Sequence, residues 1–366
     1  MQFYIQSVSF LIRREDALAI VGIESLVYGV EDFSKSVAFF EDFGLPMVKC
    51  TDGDSASYAR FRVAGGASVQ VRNLDDPWFL KSDQVGVGVR ECIWGVDSQE
   101  SLNELVDDLR RDHNLSVEAD GTVRFVTAFG QALGLKVWSK TPVYSASSPV
   151  NTHGNINRVN ETRKWIKRAI PKTINHVVWS FPDVNEALDF YRGRLNFRIS
   201  EIQLGSGVYI RADGAGDHHN VFLADANNKT LGFDGKIQFH HANFGVEDID
   251  EIMVGKNYME RRDWPKSSWG LGRHRLSSGA FLYLPCPAGG AAEYGADIDY
   301  LDDRWVPRIW DQLFGFVIYL HDMPDFLKEQ ELEWNVGFCD PMDYYPQADT
   351  PGSQAAPPAQ SAITRK

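Results

Sequence analysis

Seven of the nine histidines in this 366-residue chain lie beyond residue 170: His176, His218, His219, His240, His241, His274 and His321. Imidazole is the commonest metal ligand and the usual proton carrier near neutral pH. His176 sits in the run Ile174-Asn175-His176-Val177-Val178-Trp179, and His241 in Phe239-His240-His241-Ala242-Asn243-Phe244. Glu293 sits in Gly290-Ala291-Ala292-Glu293-Tyr294-Gly295. All three runs read as strands. A carboxylate on an inward-facing strand position calls for a partner or a metal, because an unpaired buried charge is expensive. Two histidines and one carboxylate with open positions make the facial triad that holds Fe(II) in non-haem oxygenases. His240 is expected to point away from His241, since neighbouring strand residues face opposite sides. His113, His153 and His321 lack partners at useful spacing and read as surface residues. Trp264, Trp269 and Phe281 either line an aromatic pocket or pack in a core or lid.

The elements that must position these residues repeat. Gly29-Val30-Glu31-Asp32, Gly95-Val96-Asp97-Ser98, Phe181-Pro182-Asp183-Val184 and Gly245-Val246-Glu247-Asp248 each follow an apolar, β-branched or aromatic run. Each precedes a stretch with apolar residues at helical spacing, such as Leu102, Leu105 and Leu109. The leading Asp or Ser suits a helix N-cap, because its oxygen accepts from otherwise unpaired amides. Short alternating segments broken by Gly, Asp and Asn then predict hairpins. The unit of strand, helix and about three strands occurs four times, near 23–75, 85–140, 173–226 and 237–296. The fold class is therefore α+β, with two domains of two βαβββ units each. Units one and three align at an offset of 151, and units two and four at 150. At those offsets His176 corresponds to Ser25 and His241 to Glu91, while Glu293 falls near Lys136 or Val137. One half carries the triad, and core packing gives no reason for that asymmetry.

The expected division is a domain without metal over 1–140, a linker over 141–172 holding a short helix, and a catalytic domain over 173–300. An extension over 301–345, serving as a lid or an oligomer contact, and a disordered tail over 346–366 complete it. The tail is rich in Pro, Ala, Gln and Ser and cannot offset its ordering entropy. A net charge of −13 argues against a nucleic-acid partner and fits an anionic membrane surface poorly. No apolar run approaches the roughly 20 residues that span a bilayer. The order of charge and apolar residues between Val8 and Arg14 is the reverse of a signal peptide. Four cysteines without CxxC spacing point to a reduced, cytoplasmic compartment.

At these residues the chain resembles the type I extradiol ring-cleavage dioxygenases of the vicinal oxygen chelate superfamily, the 2,3-dihydroxybiphenyl and catechol 2,3-dioxygenase kind. The resemblance covers roughly 23–310 and is strongest over 173–310. It rests on His176, on the second histidine of His240-His241, and on Glu293 in Glu-Tyr-Gly. It also rests on His219 in Asp217-His218-His219-Asn220, on Leu271-Gly272-Arg273-His274, and on Tyr283 ten residues before Glu293. Asp303-Arg304-Trp305-Val306-Pro307 resembles the stretch that follows the family's barrel. After His274 the chain reads Arg275-Leu276-Ser277-Ser278, where many relatives carry Asn and Asp.

The resemblance implies Fe(II), with Mn(II) as the alternative, held by His176, His241 and Glu293. It implies His219, Tyr283 and His274 as catalytic residues, and His274, Tyr283, Trp269 and Phe281 as substrate contacts. The partners would be O2 and a catechol-type aromatic of one or two rings, cleaved beside the diol to a semialdehyde in aromatic catabolism. A homo-oligomer is expected by the same analogy. Two readings compete on the same scaffold: a metal-dependent isomerase or lyase of the glyoxalase kind, and a non-catalytic binding protein.

Overall fold

The computed structural model describes residues 19–52, 57–310, 316–328, 336–340, 343 and 345. The expected tail, 346–366, and the Val8–Arg14 segment lie outside them. The first unit runs β1 (Ile20–Val30), α1 (Phe33–Phe43), β2 (Met47–Thr51), β3 (Tyr58–Arg62) and β4 (Ser68–Asn73). The second runs β5 (Gly88–Val96), α2 (Gln99–Leu109), β6 (Ser116–Val117), β7 (Val123–Val126) and β8 (Ala132–Val137). The third runs β9 (Thr173–Phe181), α3 (Val184–Leu195), β10 (Arg198–Gln203), β11 (Gly207–Arg211) and β12 (Val221–Asp225). The fourth runs β13 (Gln238–Gly245), α4 (Ile249–Glu260), β14 (Gly272–Arg273), β15 (Ala280–Pro285) and β16 (Ala291–Ala296). The α+β expectation of four βαβββ units holds.

The four repeated acidic or hydroxyl residues cap the four helices. The side chains of Asp32, Ser98, Asp183 and Asp248 each accept a backbone N–H from the first turn. At the other end of α1, Gly44 takes the left-handed conformation (φ 106°) that only glycine adopts without strain.

Within a half, the two units meet through their first strands. β1 pairs antiparallel with β5, and β9 with β13. Each first strand also pairs parallel with the last strand of its own unit: β4 on β1, β8 on β5, β12 on β9, β16 on β13. The result is two sheets with a local twofold between the central strands. Residues on one face of four successive strands thus converge without being near in sequence.

A single apolar core runs through both halves. Helix α1 packs on α4, and α2 on α3. Phe43 stacks on Tyr294 at 4.1 Å between centroids, and the Tyr294 hydroxyl donates to the Phe43 carbonyl. Trp264 belongs here and not to a pocket: its ring meets the edge of Phe39, and its Nε1 donates to Asp42.

One expectation about the connecting segments needs correction. Residues 141–172 contain no helix. Their basic run is spent on the start of α4, where Lys164 and Lys172 pair with Glu247, and Arg163 with Asp248 and Asp250. Side chains thus tied to another element favour an extended strap. The segment after residue 300 joins the second sheet at both edges. There β17 (Arg308–Trp310) lies on β10 and carries β19 (Val336–Phe338), while β18 (Tyr319–Leu320) lies on β14.

The strand register also shows what the first half holds in place of the triad. Ser25 and Glu91 occupy the positions of His176 and His241, as the offsets require. Glu293 lies opposite Asn243, as Gly134 lies opposite Ile93, so its counterpart is Gly134 and not Lys136 or Val137. Tyr283 lies opposite Glu293 as Arg124 lies opposite Gly134. A Cβ at Gly134 would stand 3.4 Å from the Glu91 carboxylate. The Arg124 guanidinium reaches over it, gripping Glu91 through two hydrogen bonds of 2.7 Å and stacking on Trp78. A buried ion pair fills the space that a metal site needs. Glu91→Gln or Arg124→Met should lower unfolding free energy by about 3–5 kcal/mol in urea titrations, by stranding a buried charge or polar group. Neither should change the metal bound per chain.

Candidate metal centre

On the inner face of the second sheet, Tyr283 (β15), Glu293 (β16), Asn243 (β13) and His176 (β9) lie in one row of cross-strand partners. His241 stands one step along, opposite Val178. The Nε2 atoms of His176 and His241 are 3.3 Å apart, and each is 3.3 Å from Glu293 Oε2. All three residues are buried. Three lone-pair atoms facing one another at this spacing suit adjacent positions around one small cation. Glu293 Oε2 is buried and, among the described residues, accepts no hydrogen bond of normal geometry, which a bound cation would remedy. Burial opposes charge on Glu293, yet the two imidazoles outweigh it and hold its carboxyl well below the usual range. Burial pushes His176 down, keeping it in the neutral form that ligates.

His240 does not point to the opposite face. A β-bulge between Phe239 and His241 breaks the alternation, and His240 sits at the bulge. Its Nδ1 lies 2.6 Å from His241 Nδ1. An Nδ1–H on His241 donated there leaves His241 Nε2 bare for a cation, the outer support that ligating histidines commonly have. Only the doubled histidine in the sequence hinted at this.

His219 stacks on His176 at 4.1 Å between centroids, and the edge of Tyr209 meets it at 5.0 Å. Burial, reinforced by surrounding imidazoles, holds its pKa well below the ordinary value, so it is a neutral base near pH 7. Tyr283 packs its ring on His241, and its hydroxyl lies 3.3 Å from His274 Nε2. His274 Nδ1 donates to the Phe316 carbonyl at 2.7 Å, so its Nε2 is left as the acceptor for Tyr283. Burial lowers His274 to about 4 and raises Tyr283 well above its usual range, so the imidazole is neutral and the phenol keeps its proton.

These residues line one cavity together with Trp269, Phe281, Val178, Phe222, Leu231 and Phe233. Phe281 is 1% exposed and serves chiefly as the plate on which His274 stacks. Trp269 and Phe316 meet edge to face at one wall. Phe316, Tyr209 and Phe222 were not singled out from the sequence. The strand alternation Val208-Tyr209-Ile210 could have flagged Tyr209. Nothing local signals Phe316, which arrives from the segment after the fourth unit. Among the remaining histidines, His153 and His321 are exposed. His113 is not a surface residue, for its side chain is 7% exposed and packs on Phe125 and Phe190 while bonding Asp112. The four cysteines are unpaired thiols. No helix among the described residues is long and apolar enough to cross a membrane.

Residues 173–253 match the Glyoxalase/Bleomycin resistance protein/Dioxygenase superfamily. The chain is 28% identical over 291 residues to metapyrocatechase 2 of Cupriavidus necator, covering 77% of this chain and 83% of that protein. In fold it resembles the 2,2',3-trihydroxybiphenyl 1,2-dioxygenase of Sphingomonas wittichii strain RW1, with a TM-score of 0.61 and 16% identity. That likeness covers 83% of this chain and 100% of that one. The Mn(II)-bound glyoxalase of Novosphingobium aromaticivorans has a TM-score of 0.60 and 19% identity, over 80% of this chain and 88% of that one.

Glu293→Ala should abolish stoichiometric binding of a divalent cation, read as metal per chain after anaerobic loading with Fe(II) or Mn(II). Retention of a full equivalent would remove Glu293 from the ligand set. Between pH 6.5 and about 4 the unfolded chain takes up a proton at His274 that the folded chain refuses. The metal-free protein should therefore lose stability as pH falls through that window, and His274→Phe should lose less, as measured by urea midpoints.

Proposed function

We propose, for a chain whose residues 173–253 match the Glyoxalase/Bleomycin resistance protein/Dioxygenase superfamily, that it is an extradiol dioxygenase of catechol-type aromatics. The observation that carries this reading is the buried triangle of His176, His241 and Glu293 with His219, Tyr283 and His274 beside it in one cavity. The relationship to a metapyrocatechase supports it. In this reading one C–C bond beside the diol breaks, and both atoms of O2 enter a ring-opened semialdehyde. We assign Fe(II) to the triangle, with Mn(II) as the alternative; the bound cation would acidify the diol and bring it together with O2. The chain would work as a cytoplasmic homo-oligomer, its metal-free half over 1–140 and its catalytic half over 173–300.

The chain's own groups have distinct parts. His219, neutral and next to the ligand His176, is the base that accepts a diol proton and returns it as the ring opens. Tyr283 keeps its proton, donated to His274 Nε2, so its oxygen accepts from a substrate hydroxyl and orients it. His274 holds Tyr283 in place and offers a neutral ring to the substrate. The aromatic and aliphatic walls exclude water from the site. Among the described residues lining the cavity there is no Lys or Arg. A carboxylate on the substrate would be buried without a countercharge, so a neutral, apolar substituent is favoured.

The Mn(II)-bound glyoxalase of the same fold keeps a second reading in view: turnover without oxygen. Oxygen uptake and a yellow product on adding catechols to the anaerobically iron-loaded protein decide between them. Turnover under argon would overturn the dioxygenase reading. His219→Ala should keep its metal and bind catechol, but lose at least ~100-fold in kcat. Alkyl- or aryl-substituted catechols should exceed carboxylated ones in kcat/KM by at least ~10-fold. Equal values would refute the apolar-pocket argument.

A further inference from the structure

Two titratable side chains beside the cavity have no part in the chemistry above. His218 and Glu201 are 0% and 1% exposed, and neither lines the cavity. A register shift between Ile199 and Glu201 in β10 sets Glu201 opposite Tyr209, whose ring borders His219. His218 Nε2 stands 3.5 Å from Glu201 Oε1, a charge contact outside hydrogen-bond geometry, and His218 Nδ1 stands 3.0 Å from His219 Nδ1. Among the described residues neither Glu201 Oε2 nor His218 Nε2 has a hydrogen-bond partner. A carboxylate kept in such a place costs stability that an apolar side chain of similar size would not. Its presence calls for a reason other than packing.

We infer that Glu201 and His218 are positioning residues for His219, forming a carboxylate–histidine–histidine chain that determines which nitrogen of His219 faces the cavity without a proton. The inference rests on His219 being the base of the proposed reaction. The directions follow from donor and acceptor chemistry. The negative charge of Glu201 repels a bare ring nitrogen and attracts an N–H, so it favours the proton of His218 on Nε2. His218 Nδ1 is then bare and accepts from an Nδ1–H on His219. That leaves His219 Nε2 as the bare nitrogen, able to take a proton from a diol. The opposite tautomer would present an N–H to the substrate and could accept nothing.

The surroundings hold the chain in line. The Ser200 hydroxyl donates to the His218 carbonyl, and Trp305 Nε1 donates to the Ser200 carbonyl at 2.8 Å. The edges of Trp305 and Tyr209 confine the His218 ring at 6.2 and 6.4 Å. The metal ligand His241 has the same Nδ1-to-Nδ1 contact with its neighbour His240, at 2.6 Å. In both pairs the first histidine braces the second, and only the pair that must supply a base is backed by a carboxylate.

The test is the tautomer of His219 in the full chain, 15N-labelled at histidine and loaded with diamagnetic zinc, read by long-range proton–nitrogen correlation. The expected result is Nδ1–H with a bare Nε2. In Glu201→Met and His218→Phe an Nε2–H population should appear. In the iron-loaded variants kcat on catechol should drop ~10-fold with KM within ~2-fold, and Glu201→Asp, which keeps an acceptor, should recover most of it. An Nε2–H tautomer at His219 in the unsubstituted chain overturns the inference even if the variants do not fold. So does an unchanged tautomer and kcat in Glu201→Met. A chain that opens no catechol yet shows the expected tautomer defeats the dioxygenase reading and leaves the positioning role of Glu201 and His218 standing.

Discussion

Three lone-pair atoms held 3.3 Å apart in a buried pocket are an unfavourable arrangement without a cation. Two imidazole nitrogens and a carboxylate oxygen point at one another, and no hydrogen bond of normal geometry from the described residues reaches that oxygen. The sheet keeps them there because each sits on a different central or adjacent strand with its backbone already paired. The surrounding groups make sense as support for this triangle. His240 braces His241, His219 stacks on His176, and Tyr283 packs its ring against His241.

The duplicated half shows how the same framework behaves without that constraint. Glu91 keeps a carboxylate at a ligand position, but Gly134 removes the other carboxylate and Arg124 replaces the tyrosine. The charge is then balanced by a guanidinium stacked on Trp78. The first half answers a charged group on the inner face of a curved sheet with a covalently tethered cation, where the second half leaves a triangle of lone-pair atoms. Because one apolar core and a pair of helix–helix contacts join them, the first half also buttresses the second.

The cavity is closed by chain that belongs to neither repeat. Phe316 supplies the carbonyl that fixes His274 and a ring that meets Trp269. His274 in turn fixes the Tyr283 hydroxyl. The orientation of a central polar group therefore depends on a segment added at the sheet edge through β18.

The sequence alone determined the four units, their caps and the triad. These depend on local signals, namely residue type, the period of apolar positions and an offset between copies. It did not determine the position of His240, because a bulge shifts facing by one residue and leaves no mark in composition. Nor did it give the match of Glu293 to Gly134, because turns of unequal length hide the register that backbone pairing sets. The Glu91–Arg124 pair, the wall supplied by Phe316 and the Glu201–His218–His219 chain were decided only by tertiary structure. Each joins residues from different strands or segments, and a contact across strands depends on distance in space, which spacing along the chain does not encode.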